Sequence, residues 1–265
     1  MTTVQAAPRP VALRLRGLSC HFGGVHAVAG VDLEVAGGER RAILGPNGAG
    51  KTTLFNLISG EVFPTAGQIE VFGQVITWVP SRKRIRLGLT RTYQTSRLFR
   101  MLSVLENIYL AVLGAEGGHM RPVRLRQDRE YRTRAREVAD RVGLADRLDA
   151  AAGSLSHGEQ RQLEVALGLA GRPKILMLDE PAAGLSPAER GSLTGLLLSL
   201  DPAVTLLVVE HDMDVALRVA ESVTVMHEGR IVAEGSPADI RANQRVHDLY
   251  LGQPHSPSGE GRVGA

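Results

Sequence analysis

Apolar and polar residues alternate in several stretches near the start of the chain: "LRLRGL" (13–18), "GVDLEV" (30–35), "RRAILG" (40–45) and "GQIEVF" (67–72). Residues two apart share one face of a strand, so these stretches predict strands. Glycine-rich turns such as "AGGE" and "PTAG" separate them, giving a strand-rich lobe over about 11–75. The period then changes. Tyr131, Ala135, Val138 and Val142 recur at helical spacing between charged positions, which predicts a helical insertion over 103–142. Inside it, "GAEGGHMRP" (114–122) reads as a loop, because glycine and proline interrupt the pattern. Further on, unbroken apolar runs at 174–178 and 204–209 alternate with helical patterns, the signature of a parallel sheet. The fold class is therefore α/β. The last stretch, "GQPHSPSGEGRVGA" (252–265), has no periodicity and is expected to be disordered.

Length and composition narrow the setting. At 265 residues and 43% hydrophobic, the chain can bury one large core or two closely joined lobes. No apolar run reaches the roughly 18–20 residues that cross a bilayer. The start "MTTVQAAPRP" carries no secretory pattern, and the single cysteine, Cys20, forms no internal disulfide, so a reducing cytoplasm is expected. Net charge is +3, with arginine clusters at 81–91 and 121–136. Solvated faces are the default reading of such runs, and an anionic membrane surface the sharper one. With aromatics at only 4%, no stacking platform accompanies them, so nucleic acid is not an expected partner.

Three stretches carry chemistry. "GPNGAGKTT" (45–53) fits the phosphate loop G-x-x-x-x-G-K-[ST] through Gly45, Gly50, Lys51 and Thr52, with a strand pattern before it and a helical one after it. Glycines such as Gly48 and Gly50 let backbone N–H groups approach phosphates, Lys51 supplies charge to them, and the Thr52 hydroxyl suits Mg²⁺. Asn47 and Thr53 complete the candidate nucleotide contacts. "ILMLDEP" (175–181) is an apolar strand ending in two acids, at the sheet edge where ligands bind. Asp179 is the expected Mg²⁺ partner through water, and Glu180 the expected base for the attacking water. "LSHGEQRQLEVA" (155–166) opens a helix with a hydroxyl. One reading makes Ser156 an N-cap, with Glu159 completing a capping box. The other makes this helix mouth an anion site. The stretch alone leaves both open.

The order "GPNGAGKTT", "RTYQ" (91–94), "LSHGEQ", "ILMLDEP", "AAGLS" (182–186) and "VVEHDM" (208–213) resembles the ATP-binding subunits of ABC transporters over about 11–252. The wording "TRTYQTSRLFRMLSVLENI", "EHDMDVAL" and the late "YLG" is similar to ATPases of branched-chain and hydrophobic amino-acid importers, including amide and urea systems. The resemblance implies a P-loop NTPase parallel-sheet core with an antiparallel β subdomain and an α-helical subdomain inserted at 95–155. Residues 1–10 and 253–265 are then tails. It implies ATP and Mg²⁺ as cofactors, with Gln94 contacting the metal and sensing the γ-phosphate. His211 would contact that phosphate and hold the water, and the ring of Phe22 would stack on adenine. Ser156, Gly158 and Glu159 would cap the nucleotide of a second, facing ATPase subunit, and in this family His157 stands where glycine is usual. Integral-membrane permeases are the implied partners, with a periplasmic solute-binding protein indirectly, placing the chain on the inner face of the membrane. An exporter or lipid-extraction ATPase shares the same motifs. A soluble ABC ATPase acting on nucleic acid or ribosomes usually has two cassettes or a long coiled coil, and neither is present here.

Overall fold

The structure, a computed structural model, describes residues 9–92, 98–116 and 125–251. Of the tails expected at 1–10 and 253–265, residues 1–8 and 253–265 lie outside the described residues, as does Gln94. In chain order the elements are β1 (Val11–Phe22), β2 (Val25–Ala36), β3 (Arg40–Leu44), α1 (Lys51–Ser59), β4 (Ala66–Val71), β5 (Gln74–Val75), α2 (Ser81–Arg84) and β6 (Leu89–Arg91). There follow α3 (Val104–Ala115), α4 (Leu125–Arg141), α5 (His157–Ala170), β7 (Ile175–Asp179), α6 (Pro187–Ser199) and β8 (Thr205–Val209). The chain continues through α7 (Met213–Val219), β9 (Ser222–His227), β10 (Arg230–Gly235), α8 (Pro237–Ala242) and α9 (Gln244–Leu251).

Two sheets organise these elements. One is antiparallel with strand order β2-β1-β4-β5; the other runs β10-β9-β3-β8-β7-β6. Its pairs β9/β3, β3/β8, β8/β7 and β7/β6 are all parallel, and β10 returns antiparallel at the edge. The stretch at 40–45, grouped above with the strand-rich lobe, is corrected here: β3 lies inside the parallel sheet. Its last three residues, Ala42, Ile43 and Leu44, are all buried, as both-face burial demands.

The alternation of side chains divides the core between the faces of this sheet. Ile175, Met177, Leu207 and Val209 pack with Phe55 and Ile58 of α1 and with Leu13, Leu15 and Ile69 of the antiparallel sheet. Leu176, Leu178, Leu206 and Val208 face the other way, into a cluster with Ile108 of α3, Ala135 and Val138 of α4, and Leu163 of α5. The predicted helical insertion is present as α3 and α4. A second correction falls on its loop: Gly114 and Ala115 still belong to α3, whose helical hydrogen bonding carries through to Glu116.

The basic stretches differ from one another. Arg126, Arg129, Arg132 and Arg136 on α4 are exposed, as a solvated face should be. In the earlier cluster, Arg84 is fully buried, and the Arg91 side chain is 5% exposed. Arg84 donates to the carbonyls of Leu57 and Ile58 at the end of α1 and to those of Ile76, Thr77 and Val79, over 2.7–3.0 Å. Burial pushes its guanidinium down to about 10. Its nitrogens find acceptors that the C-terminal turn of α1 cannot pair within the helix.

Candidate active site

Strand β3 delivers the chain into the loop 45–50, and α1 begins at Lys51. Gly50 stands at the N-cap with φ 98°, and a Cβ there would lie 2.3 Å from the carbonyl oxygen of Ala27. Gly45 has φ 152°, and its Cβ would lie 2.2 Å from the Met226 oxygen. Both positions therefore require glycine, on conformational and steric grounds together. No side chain caps α1, and its first turn holds no acid. Lys51 is buried and curls over its own loop, donating to the carbonyl oxygens of Gly45 at 2.6 Å and Pro46 at 2.9 Å. Burial lowers its pKa, while the nearby charges of Glu180 and Asp179 pull it back up.

This loop walls a cavity of about 420 Å³. Asn47, Gly48, Gly50, Lys51, Thr52 and Thr53 line it, with Glu180 and His211 at one side and Val25 at another. All six phosphate-loop candidates are thus gathered with the expected base and His211. Phe22 faces Val25 across the β1–β2 turn. Its ring is 53% exposed, which removes it from the core.

The acids stand at the end of β7, as the strand reading required. Asp179 is buried, with Oδ2 accepting from Arg91 Nη2 at 2.6 Å. Its Oδ1 is also buried and has no hydrogen-bond partner among the described residues. Such an orphaned oxygen, with the Thr52 hydroxyl on the same site, fits the hard-oxygen chemistry of Mg²⁺, which keeps several waters and takes few protein ligands. Glu180 follows with φ 48°, a left-handed backbone unusual outside glycine. Its N–H donates to the Val209 carbonyl at 2.8 Å, and its Oε1 lies 2.6 Å from His211 Nε2.

Three residues at this site escaped the sequence reading. Arg91 reaches Asn56 Oδ1 at 2.5 Å as well as Asp179, and the run of arginines around it disguised it as surface. Arg161 bonds the carbonyl oxygens of Glu180 and Pro181. Glu210 is buried beside His211; it accepts from Ala182 N at 2.8 Å and from His211 N at 3.2 Å. Burial raises its carboxyl to about 7, against the pull of those N–H groups. An acid next to the singled-out His211 was the available signal for Glu210.

The stretch that opens α5 forms a separate hollow of about 230 Å³, lined in part by Ser156, Gly158, Glu159 and Glu189. Ser156 Oγ accepts from Glu159 N at 3.2 Å, and Glu159 Oε2 accepts from Ser156 N at 2.8 Å, a complete capping box. Gly158 N donates to Glu189 Oε1 of α6 at 2.9 Å. The helix mouth therefore serves as a cap and receives a carboxylate. It shares no lining residue with the phosphate-loop cavity.

Comparison with known proteins matches this arrangement. A family model described as ABC transporter fits residues 28–183, and one described as branched-chain amino acid ATP-binding cassette transporter fits residues 230–256. The chain is 39% identical over 253 residues to the high-affinity branched-chain amino acid transport ATP-binding protein BraF of Pseudomonas aeruginosa, covering 92% of this chain and 99% of that one. It is 39% identical over 249 residues to LivG of Escherichia coli K12, with the same description, covering 91% and 98%. A nucleotide-free ATP-binding cassette from an ABC transporter superposes with a TM-score of 0.81 at 28% identity, over 92% of this chain and 100% of that chain. A dimeric bacterial ABC transporter cassette does so with 0.73 at 26%, over 85% and 98%. Phosphate loop, acid-ended strand and α5 mouth thus occur together in a chain that belongs to the ATP-hydrolysing, nucleotide-binding cassettes of ABC transporters.

Proposed function

We propose that this chain powers uptake of branched-chain amino acids, or of related small polar and amide solutes, as one ATPase subunit of an importer. The match of residues 230–256 to the branched-chain model and the similarity to BraF and LivG support import, and no observation favours export. The cassette proper spans 11–252, with the helical subdomain at 95–155. It works on the inner face of the membrane beside integral-membrane permeases fed by a periplasmic solute-binding protein. Two ATPase subunits, identical or related, close on two nucleotides, and hydrolysis reopens them.

The observation that carries the chemistry is the 2.6 Å contact between Glu180 Oε1 and His211 Nε2 at the wall of the phosphate-loop cavity. Lys51 exchanges its two loop carbonyls for phosphate oxygens, which hold its charge better than neutral acceptors do. Asn47, Gly48, Gly50 and Thr53 surround the phosphates, and Phe22 stacks on the adenine. Thr52, Asp179 and Gln94 would hold Mg²⁺, which when bound neutralises charge on the phosphates. Glu180 accepts the proton of the attacking water, and His211 keeps the carboxylate and the water aligned. Ser156, Gly158 and Glu159 of the second subunit close over the γ-phosphate.

Glu180→Gln tests the base directly. The variant keeps its affinity for Mg-ATP within a few-fold, loses at least about 100-fold in kcat, the range of a general base, and accumulates as an ATP-bound dimer. Steady-state turnover within a few-fold of the unaltered chain refutes this role.

A further inference from the structure

Arg161 stands on α5 five residues after Ser156, with its side chain 10% exposed. All three of its nitrogens are committed. Nε donates to the Pro181 carbonyl at 2.6 Å, Nη2 to the Glu180 carbonyl, and Nη1 to Glu164 Oε2 at 2.5 Å, one turn further along the same helix. A planar fork meeting two successive carbonyls fixes the orientation of that peptide, which a point charge on a flexible stem does not do.

The peptide so held belongs to Glu180. With φ at 48°, its backbone occupies the left-handed region, which a non-glycine residue keeps only where its surroundings over-determine it. Those surroundings are now identified. On one side Glu180 N is tied to Val209 of β8, and on the other its carbonyl accepts from Arg161 of α5 and, within its own turn, from Ala183 N at 3.1 Å. The side chain leaves from between these two ties toward His211.

We propose that Arg161 is a positioning residue for hydrolysis: it locks the Glu180 backbone to the helix whose mouth carries Ser156, so that the base and the mouth move as one body. The proposal rests on the two-subunit reading above and deepens it. In that reading Ser156 meets the second subunit's nucleotide, while Glu180 acts on the chain's own. Arg161 then links the two nucleotides through one and a half turns of α5, a hydrogen-bonded guanidinium and one peptide. Docking of α5 on the second subunit's phosphate sets the base for the first, and the two sites fire in concert.

The test compares Arg161→Met and Arg161→Lys, each with the second ATPase subunit where the dimer is mixed. Mg-ATP affinity stays within a few-fold, and ATP-driven dimerisation in a Glu180→Gln background persists. Single-turnover hydrolysis falls at least tenfold in Arg161→Met, with KM unchanged. The lysine, which reaches one carbonyl, recovers part of the loss. An Arg161→Met protein that turns over at the normal rate overturns the proposal. So does a loss of rate matched by an equal loss of folded protein. Should the methionine variant not fold, the lysine variant decides, since a folded Arg161→Lys with normal kcat is equally fatal. Failure of the two-subunit reading looks different: the Glu180→Gln protein stays monomeric with Mg-ATP whatever stands at 161.

Discussion

The mouths of α1 and α5 are the same element end prepared in opposite ways. A helix begins with N–H groups that lack partners inside it. At α5 the chain supplies those partners itself: Ser156, Glu159 and, from α6, Glu189. The same device opens α3 with Ser103 and Glu106, α6 with Ser186 and Glu189, and α8 with Ser236 and Asp239. At α1 the cap is a glycine and the first turn holds Lys51 in place of an acid. That mouth is built for an anion from outside. The α5 mouth already holds anions from inside, and on the proposed reading an incoming phosphate has to share or displace Glu189. On the two-subunit reading proposed above, the first site binds nucleotide on its own, whereas the second has work to do only when another subunit is pressed against it.

The substitution with the largest effect on this contrast is Ser156→Arg. If Ser156 only caps its helix, the change costs about 1 kcal/mol of stability and leaves ATP-driven association alone. We expect instead that the cation blocks closure, with turnover falling at least about 100-fold, as for loss of the base itself. Affinity of the single subunit for ATP stays within a few-fold. Light scattering with Mg-ATP in a Glu180→Gln background reads the outcome, and a variant that still dimerises removes the difference between the mouths.

Carboxylates sharpen the contrast through pH. Glu159 and Glu189 are held below the usual range, chiefly by the backbone N–H groups of Ser156 and Ser186 respectively. Their contribution is present above the ordinary glutamate pKa and is lost as pH falls through the depressed one. Glu210 also accepts backbone N–H groups, but burial dominates and raises it to about 7. Between about 4.5 and 7 the folded chain therefore binds more protons than the unfolded one, so stability falls as pH rises through that window. Glu210→Gln removes this slope. At pH 8 it should unfold later in urea by up to about 3 kcal/mol, the full shift at about 1.4 kcal/mol per pKa unit. A parallel pH profile for the two proteins refutes the assignment.

The smallest expected effect concerns the nucleotide's other end. Phe22→Ala should weaken ATP binding by about 1–3 kcal/mol, the scale of base stacking, with melting temperature unchanged because the exposed ring leaves no cavity. Calorimetric titration that finds no loss of affinity denies the ring its role.

What could be read from the sequence divides along the range of the interaction. The phosphate loop, the acid-ended β7 and the capping box of α5 are local: a few consecutive residues set φ, burial and hydrogen bonding together. The buried arginines are not. Arg84, Arg91 and Arg161 look like any surface cation in the chain, and only tertiary placement brings carbonyls and Asp179 to them. For β3 the apolar run was visible, yet its position near other alternating strands assigned it to the wrong sheet. The loop expected at 114–122 was begun too early, because Gly114 sits in the last turn of α3, where a glycine is tolerated; residues 117–122 lie outside the described residues.

Arg84 has a mechanical meaning. By joining the end of α1 to the 76–79 segment it turns the phosphate-binding helix into a post clamped at its foot. A clamped post does not tilt when its tip is loaded, so on the reading proposed above a phosphate arriving at Lys51 meets a helix already fixed at its far end.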